Sequence, residues 1–578
     1  MKQFLFACML LIGMNACSYG QDRIYSSVQN LSGNIFNDPA IRKVSIAMAA
    51  IENLYVDTVN NSKLAEDAIT GLLEKLDPHS AYLSPDEVKD ANEPLQGNFD
   101  GIGIQFNMLT DTLYVIQVIS GGPSEKVGIQ AGDQIIFVDD TLIAGVKMKN
   151  TDVMSKLKGP KGTVVNIKVL RNGYPDLLNF RIVRDKIPVY SLTASYMVDN
   201  KTGYIKLDRF AATTYDEFKD ALDKLQKQGM KNLIMDLQDN GGGYLGSAIE
   251  IANEFLNSGS LIVYTEGLNQ RREDARSNNS GTFKNGKLVI LVNEFSASAS
   301  EIVSGAIQDW DRGVIVGRRT FGKGLVQRPI PLPDGSMIRL TTARYYTPTG
   351  RSIQKPYTKG DLEAYSKDLV DRYNRGEMLS ADSIHFPDSL KYNTLIKNRI
   401  VYGGGGIMPD YFVPIDTTNA FFVARTTPLF VDVFYNKSVL MKYTQSLISV
   451  NRKIYQTQYP DFDSFKKNFT VTDNMLNDML NMYKKEKTDE TNGKTIQLDA
   501  NKKEIKQTPY QLTEDQQKDL EKSKWLLSYY IKMYVAREIY SDNEFFQLYN
   551  TLFDSYKKAI EIISNEGAYN KLLTQDKK

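Results

Sequence analysis

One stretch, Lys287 to Gln327, constrains this chain more than any other. It reads KLVILVNEFSASASEIVSGAIQDWDRGVIVGRRTFGKGLVQ. Leu288 to Val292 are five consecutive apolar residues and read as a buried strand. Small residues follow, with three serines among them: Ser296, Ser298 and Ser300. A helical pattern comes next, then a second buried strand over Val314–Val316, then a lysine between two glycines, Gly322-Lys323-Gly324. Strand, tight turn, helix and strand make a βαβ unit, so this part lies in a mostly parallel α/β layer. A serine where a strand turns into a helix, with a lysine on the loop after the next strand, supplies a nucleophile and a base.

Composition removes the rival chemistries. Histidine occurs only at His79, in a turn-like Asp77-Pro78-His79-Ser80, and at His385, in a polar stretch before a proline. Neither has neighbours suited to a Ser/His/Asp triad or a zinc site, so no metal and no cofactor is expected. The cysteines are Cys8 and Cys17 alone. Both lie in a segment with Lys2, an apolar run from Phe4 to Met14 and then small residues, which reads as a secretory leader over residues 1–20. Two endings compete. Cleavage after Gly20 leaves a soluble periplasmic protein without cysteine. Acylation of Cys17 makes a lipoprotein anchored in the cell envelope, although Met14 fits that signal poorly. Lys+Arg is 70 and Asp+Glu 69, for a net charge of +1, so nucleic acid is not an expected partner.

At 578 residues the chain needs roughly three or four domains. Residues 38–92 carry two amphipathic helices, one marked by Val44, Met48, Ile51 and Leu54, the other by Leu64, Ala68, Leu72 and Leu76. They read as a docking or dimerising arm. Residues 97–175 turn to strand periodicity, over Gly101–Phe106, Leu113–Ile119 and Val164–Leu170, with an Arg171-Asn172-Gly173 turn. The glycines about Gly101-Ile102-Gly103-Ile104 and the run GPSEKVGIQAGDQIIFVDD resemble the carboxylate-binding loop and following elements of a PDZ domain. Backbone N–H groups of such a loop can face an anion, and a peptide can add as a strand beside it.

From Lys186 the pattern is βα. Strands are expected over Gly203–Leu207, Leu233–Leu237 and Leu261–Tyr264, and helices from Thr214 to Gly229 and over Ala248–Leu256. Thr214 to Glu217 can form a capping box. Ser336–Tyr346 is expected to continue the same sheet. Residues 357–396 read as a polar surface insert in a core spanning 186–415, and 426–578 as a helical C-terminal region with a linker over 486–508.

Spacing alone leaves the three serines open. Ser296 could cap the helix, Ser300 could bond backbone, and Ser298 stands at the turn itself. A lysine base must be neutral to accept a proton, whereas its reference pKa is about 10.4. Phe321, Leu325 and Val326 offer the apolar setting that lowers that value.

The stretch NEFSASASEIVSGAIQD…VIVGRRTFGKGLVQ resembles the signature of the carboxyl-terminal processing peptidases, or tail-specific proteases. DPHSAYLSP, GYIKLDRF, LIMDLQDNGGGYL, ARYYTPTGRSIQ and GGIMPD extend the resemblance over most of residues 40–415. It implies a serine endopeptidase with a crotonase-like α/β core, an inserted β-rich PDZ domain, an N-terminal helical arm and a C-terminal helical region. It implies Ser298 as nucleophile, Lys323, twenty-five residues on, as base, and Gln327 as the residue orienting that lysine. The oxyanion would meet the backbone N–H groups of Gly242 and Ala299. Gly101, Ile102, Gly103 and Ile104 would hold the free C-terminus of a protein or peptide substrate. Two positions depart from the pattern: Gln238 stands where arginine is usual, and Gly241 where proline is usual. A non-catalytic PDZ scaffold of the same fold is the alternative; loss of the serine or the lysine would mark it, and both are present.

Overall fold

The structure is a computed structural model and describes residues 38–109, 111–119, 121–171, 173–492 and 509–574. The expectations for the leader, Cys8, Cys17, Asn172 and most of the 486–508 linker lie outside these residues. Residues 486–492, inside that expected linker, belong instead to the helix Asp473–Asn492. The chain divides into two compact units, one of residues up to Tyr82 with 359–362, the other of 83–358 and 363 onward.

The first unit holds the two expected helices, Pro39–Leu54 and Asn61–Glu74. Asp38 and Asn60 cap them by accepting backbone N–H groups of the first turn, from Ala40 at 2.7 Å and Lys63 at 3.1 Å. Val44, Ile46, Ile51 and Leu54 are exposed. Asp77 accepts the backbone N–H groups of His79 and Ser80, which makes His79 a turn residue.

In the second unit a β-rich domain is built on an antiparallel sheet, in the order Ile104–Leu109, Thr112–Val118, Gln134–Val138, Val164–Leu170, Leu178–Val183. Leu113, Val115, Ile135, Val165, Ile167 and Ile182 alternate inward and pack with Val153 and Leu157 of the helix Asn150–Leu157. Both chain crossings to the next domain run through one ribbon, Asn98–Gly101 paired with Asp185–Pro188. The strand Ile104–Leu109 is a sheet edge, with one neighbouring strand among the described residues.

The α/β core is a six-stranded sheet in the order Leu192–Met197, Thr202–Leu207, Asn232–Asp236, Leu288–Val292, Val314–Gly317, Tyr411–Phe412. The first pair is antiparallel and the others are parallel. Continuous apolar strands require both faces covered. The helices Thr214–Lys227, Leu245–Phe255 and Ala299–Asp309 cover one face, where Leu288, Ile290 and Val292 point. The helix Asp554–Ser564, with Tyr569 behind it, covers the other, where Val289 and Leu291 point.

Two expectations change. Leu261–Gly267 and Met337–Tyr346 do not join the parallel sheet. They pair antiparallel in a second sheet with Gln270–Arg276 and Leu325–Pro331. The cause is visible in Arg339, Thr341 and Thr342: a strand half polar by alternation does not suit a sheet buried on both sides. The capping box at Thr214 does not form; Glu217 instead accepts the Ser191 and Leu192 N–H groups and fastens the first core strand. The C-terminal region is helical, as expected, and falls into two parts. Residues 424–548 bury an aromatic core of their own around Phe430, Tyr443, Phe465 and Tyr530, whereas residues 554–574 cover the six-stranded sheet.

Candidate active site

The strand Leu288–Val292 delivers the chain to Asn293, and the helix Ala299–Asp309 begins six residues later. Between them the three serines part company. Ser296 is buried, donates to the Leu237 carbonyl at 2.7 Å and accepts the Asn293 N–H. Ser300 is buried and donates to the Asn240 carbonyl at 2.8 Å. Ser298 is half-buried, at the N-cap, with φ 54° and ψ −111°. That backbone conformation is costly for a residue with a Cβ, and such strain collects at functional sites.

The loop after Asp236 lies against Ser298. Asn240 accepts the Ala297 N–H through its carbonyl and donates its amide to the Leu207 carbonyl. Asn293 exchanges hydrogen bonds with Asp239. Gly242, at φ +98°, comes so close that a Cβ there would stand 2.8 Å from Ser298 Cβ and 3.0 Å from Ala299 N. The Gly242 N–H donates to Asn240 Oδ1 at 2.9 Å. Of the two amides expected to receive an oxyanion, the Gly242 one is thus engaged within its own loop. The Ala299 one opens the helix, where first-turn N–H groups have no intrahelical acceptor.

Lys323 is half-buried on the loop before Leu325–Pro331. One side chain joins this loop to the serine. Glu301, fully buried, accepts Ser298 N–H at 2.8 Å and Lys323 N–H at 2.9 Å on the same oxygen. Its other oxygen accepts Gly322 N–H at 2.7 Å and the Thr320 hydroxyl at 2.5 Å. Burial drives the Glu301 pKa up to about 7, against four hydrogen bonds that favour its charge. A second bridge is Tyr345, whose single hydroxyl proton is shared between the Lys323 carbonyl and the Ser298 carbonyl at 3.2 Å. Burial pushes its phenol well above the usual range.

Gln327 lies on the strand Leu325–Pro331, just past a break in register that re-aims the side chain. Its amide donates to Thr341 Oγ1 at 3.3 Å. At Gln238, where the resemblance leads one to expect arginine, the amide donates to Asp236 and the oxygen accepts the Ser555 hydroxyl of the C-terminal region at 3.0 Å. At Gly241 a Cβ would meet nothing within 4 Å, so a larger residue fits there.

In the β-rich domain Gly103 has φ +76°, and the Ile102 and Gly103 carbonyls are held by Ser124 N–H and Ile119 N–H. The loop Gly101–Ile104 therefore sits rigidly at the head of the edge strand.

Sequence reading missed Glu301, Tyr345, Thr320 and Asn240. Only Glu301 carried a local signal, the Ser-x-x-Glu spacing of a helix start. The other three are ordinary residues placed by contacts distant in sequence.

Residues 201–364 match the profile of peptidase family S41, and residues 101–182 match that of the PDZ domain. The carboxy-terminal-processing protease of Bartonella bacilliformis is 35% identical over 358 residues, 61% of this chain and 78% of that one. The chain belongs to the carboxy-terminal processing proteases of peptidase family S41. It is a serine peptidase with a PDZ domain. The carboxy-terminal processing proteases CtpA and CtpB of Bacillus subtilis are 33% and 34% identical, over 59% and 55% of this chain and 73% and 66% of theirs. Residues 6–87 match the N-terminal domain of the activating protease CtpB, and 430–542 match a family of unknown function, DUF8443.

Proposed function

We propose that this peptidase captures the free C-terminus of a protein substrate on its PDZ domain and cuts the chain nearby with a Ser298–Lys323 dyad. The observation that carries this reading is Glu301 Oε2, which holds the Ser298 and Lys323 N–H groups at 2.8 and 2.9 Å and so keys the nucleophile loop to the lysine loop. Ser298 Oγ attacks the scissile carbonyl carbon while its proton passes to neutral Lys323 Nζ. The carbonyl oxygen becomes an oxyanion facing the Ala299 N–H, with Gly242 N–H joining once it leaves Asn240. Collapse breaks the C–N bond, Lys323 returns the proton to the leaving amine, and an acyl-Ser298 remains. Water then attacks the acyl-enzyme with Lys323 as base, which frees the new carboxylate and restores Ser298. Gln327 orients the lysine.

The loop Gly101–Ile104 receives the substrate's α-carboxylate and the edge strand Ile104–Leu109 its backbone. The leader exports the chain to the periplasm or cell envelope, in soluble form or anchored at Cys17. The exposed apolar face of the helix Pro39–Leu54 suits a homo-oligomeric contact.

The test is cleavage of a peptide with a free apolar C-terminus beside its amidated twin. Ser298→Ala and Lys323→Ala should each abolish turnover in a folded protein, and the amidated peptide should be cut far more slowly. Parental rates in both variants would overturn the dyad, and equal rates on both peptides would overturn the capture. Cell fractionation of the parent and of Cys17→Ser distinguishes an anchored from a soluble form, and sedimentation reads the oligomeric state.

A further inference from the structure

Residues 357–396 read in sequence as a polar surface insert. The structure leaves most of it exposed and buries a few charged side chains within it. The helix Leu362–Asn374 directs Tyr365, Asp368 and Arg372, spaced as one helical face, at the loop that carries Lys323. Arg372 is 2% exposed. Its guanidinium donates to the Arg319 carbonyl at 2.7 Å and the Thr320 carbonyl at 3.0 Å, and lies 3.5 Å from the Glu377 carboxylate. Glu377, also from the insert, pairs with the Arg319 side chain.

Asp368 and Tyr365 act through a second cation. Lys355 Nζ donates to Asp368 at 2.9 Å and to the Tyr365 carbonyl at 3.3 Å. It lies 4.2 Å from the Phe321 ring centre and 4.0 Å from that of Tyr365. The Lys355 N–H in turn holds the Gly322 carbonyl at 2.9 Å.

Most backbone groups of the lysine loop then have named partners. On the N–H side, Thr320 bonds Ile407, Phe321 bonds Ser296, and Gly322 and Lys323 bond Glu301. On the carbonyl side, Arg319 and Thr320 bond Arg372, Gly322 bonds Lys355, and Lys323 bonds Tyr345. The core thus holds the N–H groups, and the insert helix holds three of these four carbonyls, directly or through Lys355. Burying an arginine merely to fill a surface insert would be unfavourable; it is justified where carbonyls must be held.

We propose that the helix Leu362–Asn374 is a positioning brace for the loop of the catalytic lysine, with Arg372 acting through the Arg319 and Thr320 carbonyls. It touches no substrate; it keeps the Lys323 backbone in register with Ser298 and limits water around the base. This rests on the reading of Lys323 as the base.

The experiment uses the full chain and the free-C-terminus peptide, and compares the parent, Arg372→Gln, Arg372→Lys, Asp368→Asn and Lys323→Ala. Arg372→Gln should lower kcat by about tenfold or more with KM within about twofold, because misplacement costs turnover rather than capture. The acidic limb of its kcat–pH profile should move to higher pH, since a wetter lysine holds its proton more tightly. Arg372→Lys should recover part of the rate. Asp368→Asn, at a partly exposed side chain, should shift kcat and the profile the same way by a smaller factor. A purely structural role would lower the melting temperature without moving the pH limb. Folded Arg372→Gln and Asp368→Asn with parental kcat and profile overturn the brace. If Arg372→Gln does not fold, Asp368→Asn decides alone. If Lys323→Ala still turns over, the base assignment has failed; if it is dead while the other variants behave as the parent, only the brace has.

Discussion

Glu301 accepts the backbone N–H of Lys323 at 2.9 Å on the oxygen that also accepts that of Ser298. One buried carboxylate thus sets the distance between two loops that are far apart in sequence. Above about pH 7, where Glu301 is charged, glutamine cannot replace it, because its NH2 would face donors. Glu301→Gln should therefore destabilise the core by about 2–4 kcal/mol and abolish turnover, as read by urea melts and peptide cleavage.

The same residue sets a pH dependence. Its folded pKa, about 7, lies above the ordinary 4.5, so the folded chain binds this proton more tightly than the unfolded chain. Its contribution to stability is complete below 4.5 and is lost as pH rises through about 7. The loss is on the order of 3 kcal/mol, and it should be absent from melts of Glu301→Gln across that window.

Ser298 pays in backbone strain for its position at φ 54°. Glycine relaxes that conformation. Ser298→Gly should be more stable than Ser298→Ala by about 1 kcal/mol or more, although neither cuts peptide. Paired thermal melts of the two inactive variants measure the difference.

Gly242→Ala should be both inactive and less stable. Its Cβ would meet the Ala297 carbonyl and Ser298 Cβ at 2.8 Å, from a backbone at φ +98°. The expected cost is about 2 kcal/mol or more, with turnover lost beyond the loss of folded protein. Active-site titration of the folded fraction separates the two effects.

The C-terminal helices cover one face of the protease sheet. Tyr569 donates to the Leu288 carbonyl at 3.2 Å and accepts the Leu288 N–H at 3.0 Å, at the start of the strand that leads to Ser298. Tyr569→Phe should cost about 1–3 kcal/mol by leaving a buried backbone N–H unpaired. Truncation before Asp554 should give insoluble protein, because it strips one apolar face of the sheet. Soluble, active protein after truncation would refute that layer's role.

Much of the site was legible in the one stretch from Lys287 to Gln327. An unbroken, short, mostly β-branched Leu288–Val292 run suits a strand buried on both faces, and small residues after it allow a sharp turn into a helix. The scarcity of histidine and cysteine left lysine as the candidate base beside those serines. These are local facts of period, size and composition, and local chemistry carries them.

Only the tertiary structure decided the rest. Ser296, Ser298 and Ser300 are chemically alike, and they separate because the Leu237 and Asn240 carbonyls, some sixty residues upstream, accept from two of them. Arg372 looked like solvent-exposed charge until the fold surrounded it with carbonyls of the lysine loop. Residues 554–574 looked merely helical until an uncovered sheet face received them. Which donor meets which acceptor depends on chain closure over long separations, and no local pattern encodes that. The sequence determined that a serine, a lysine and a PDZ loop are present; the packing around Glu301 decided that the first two share one anchor.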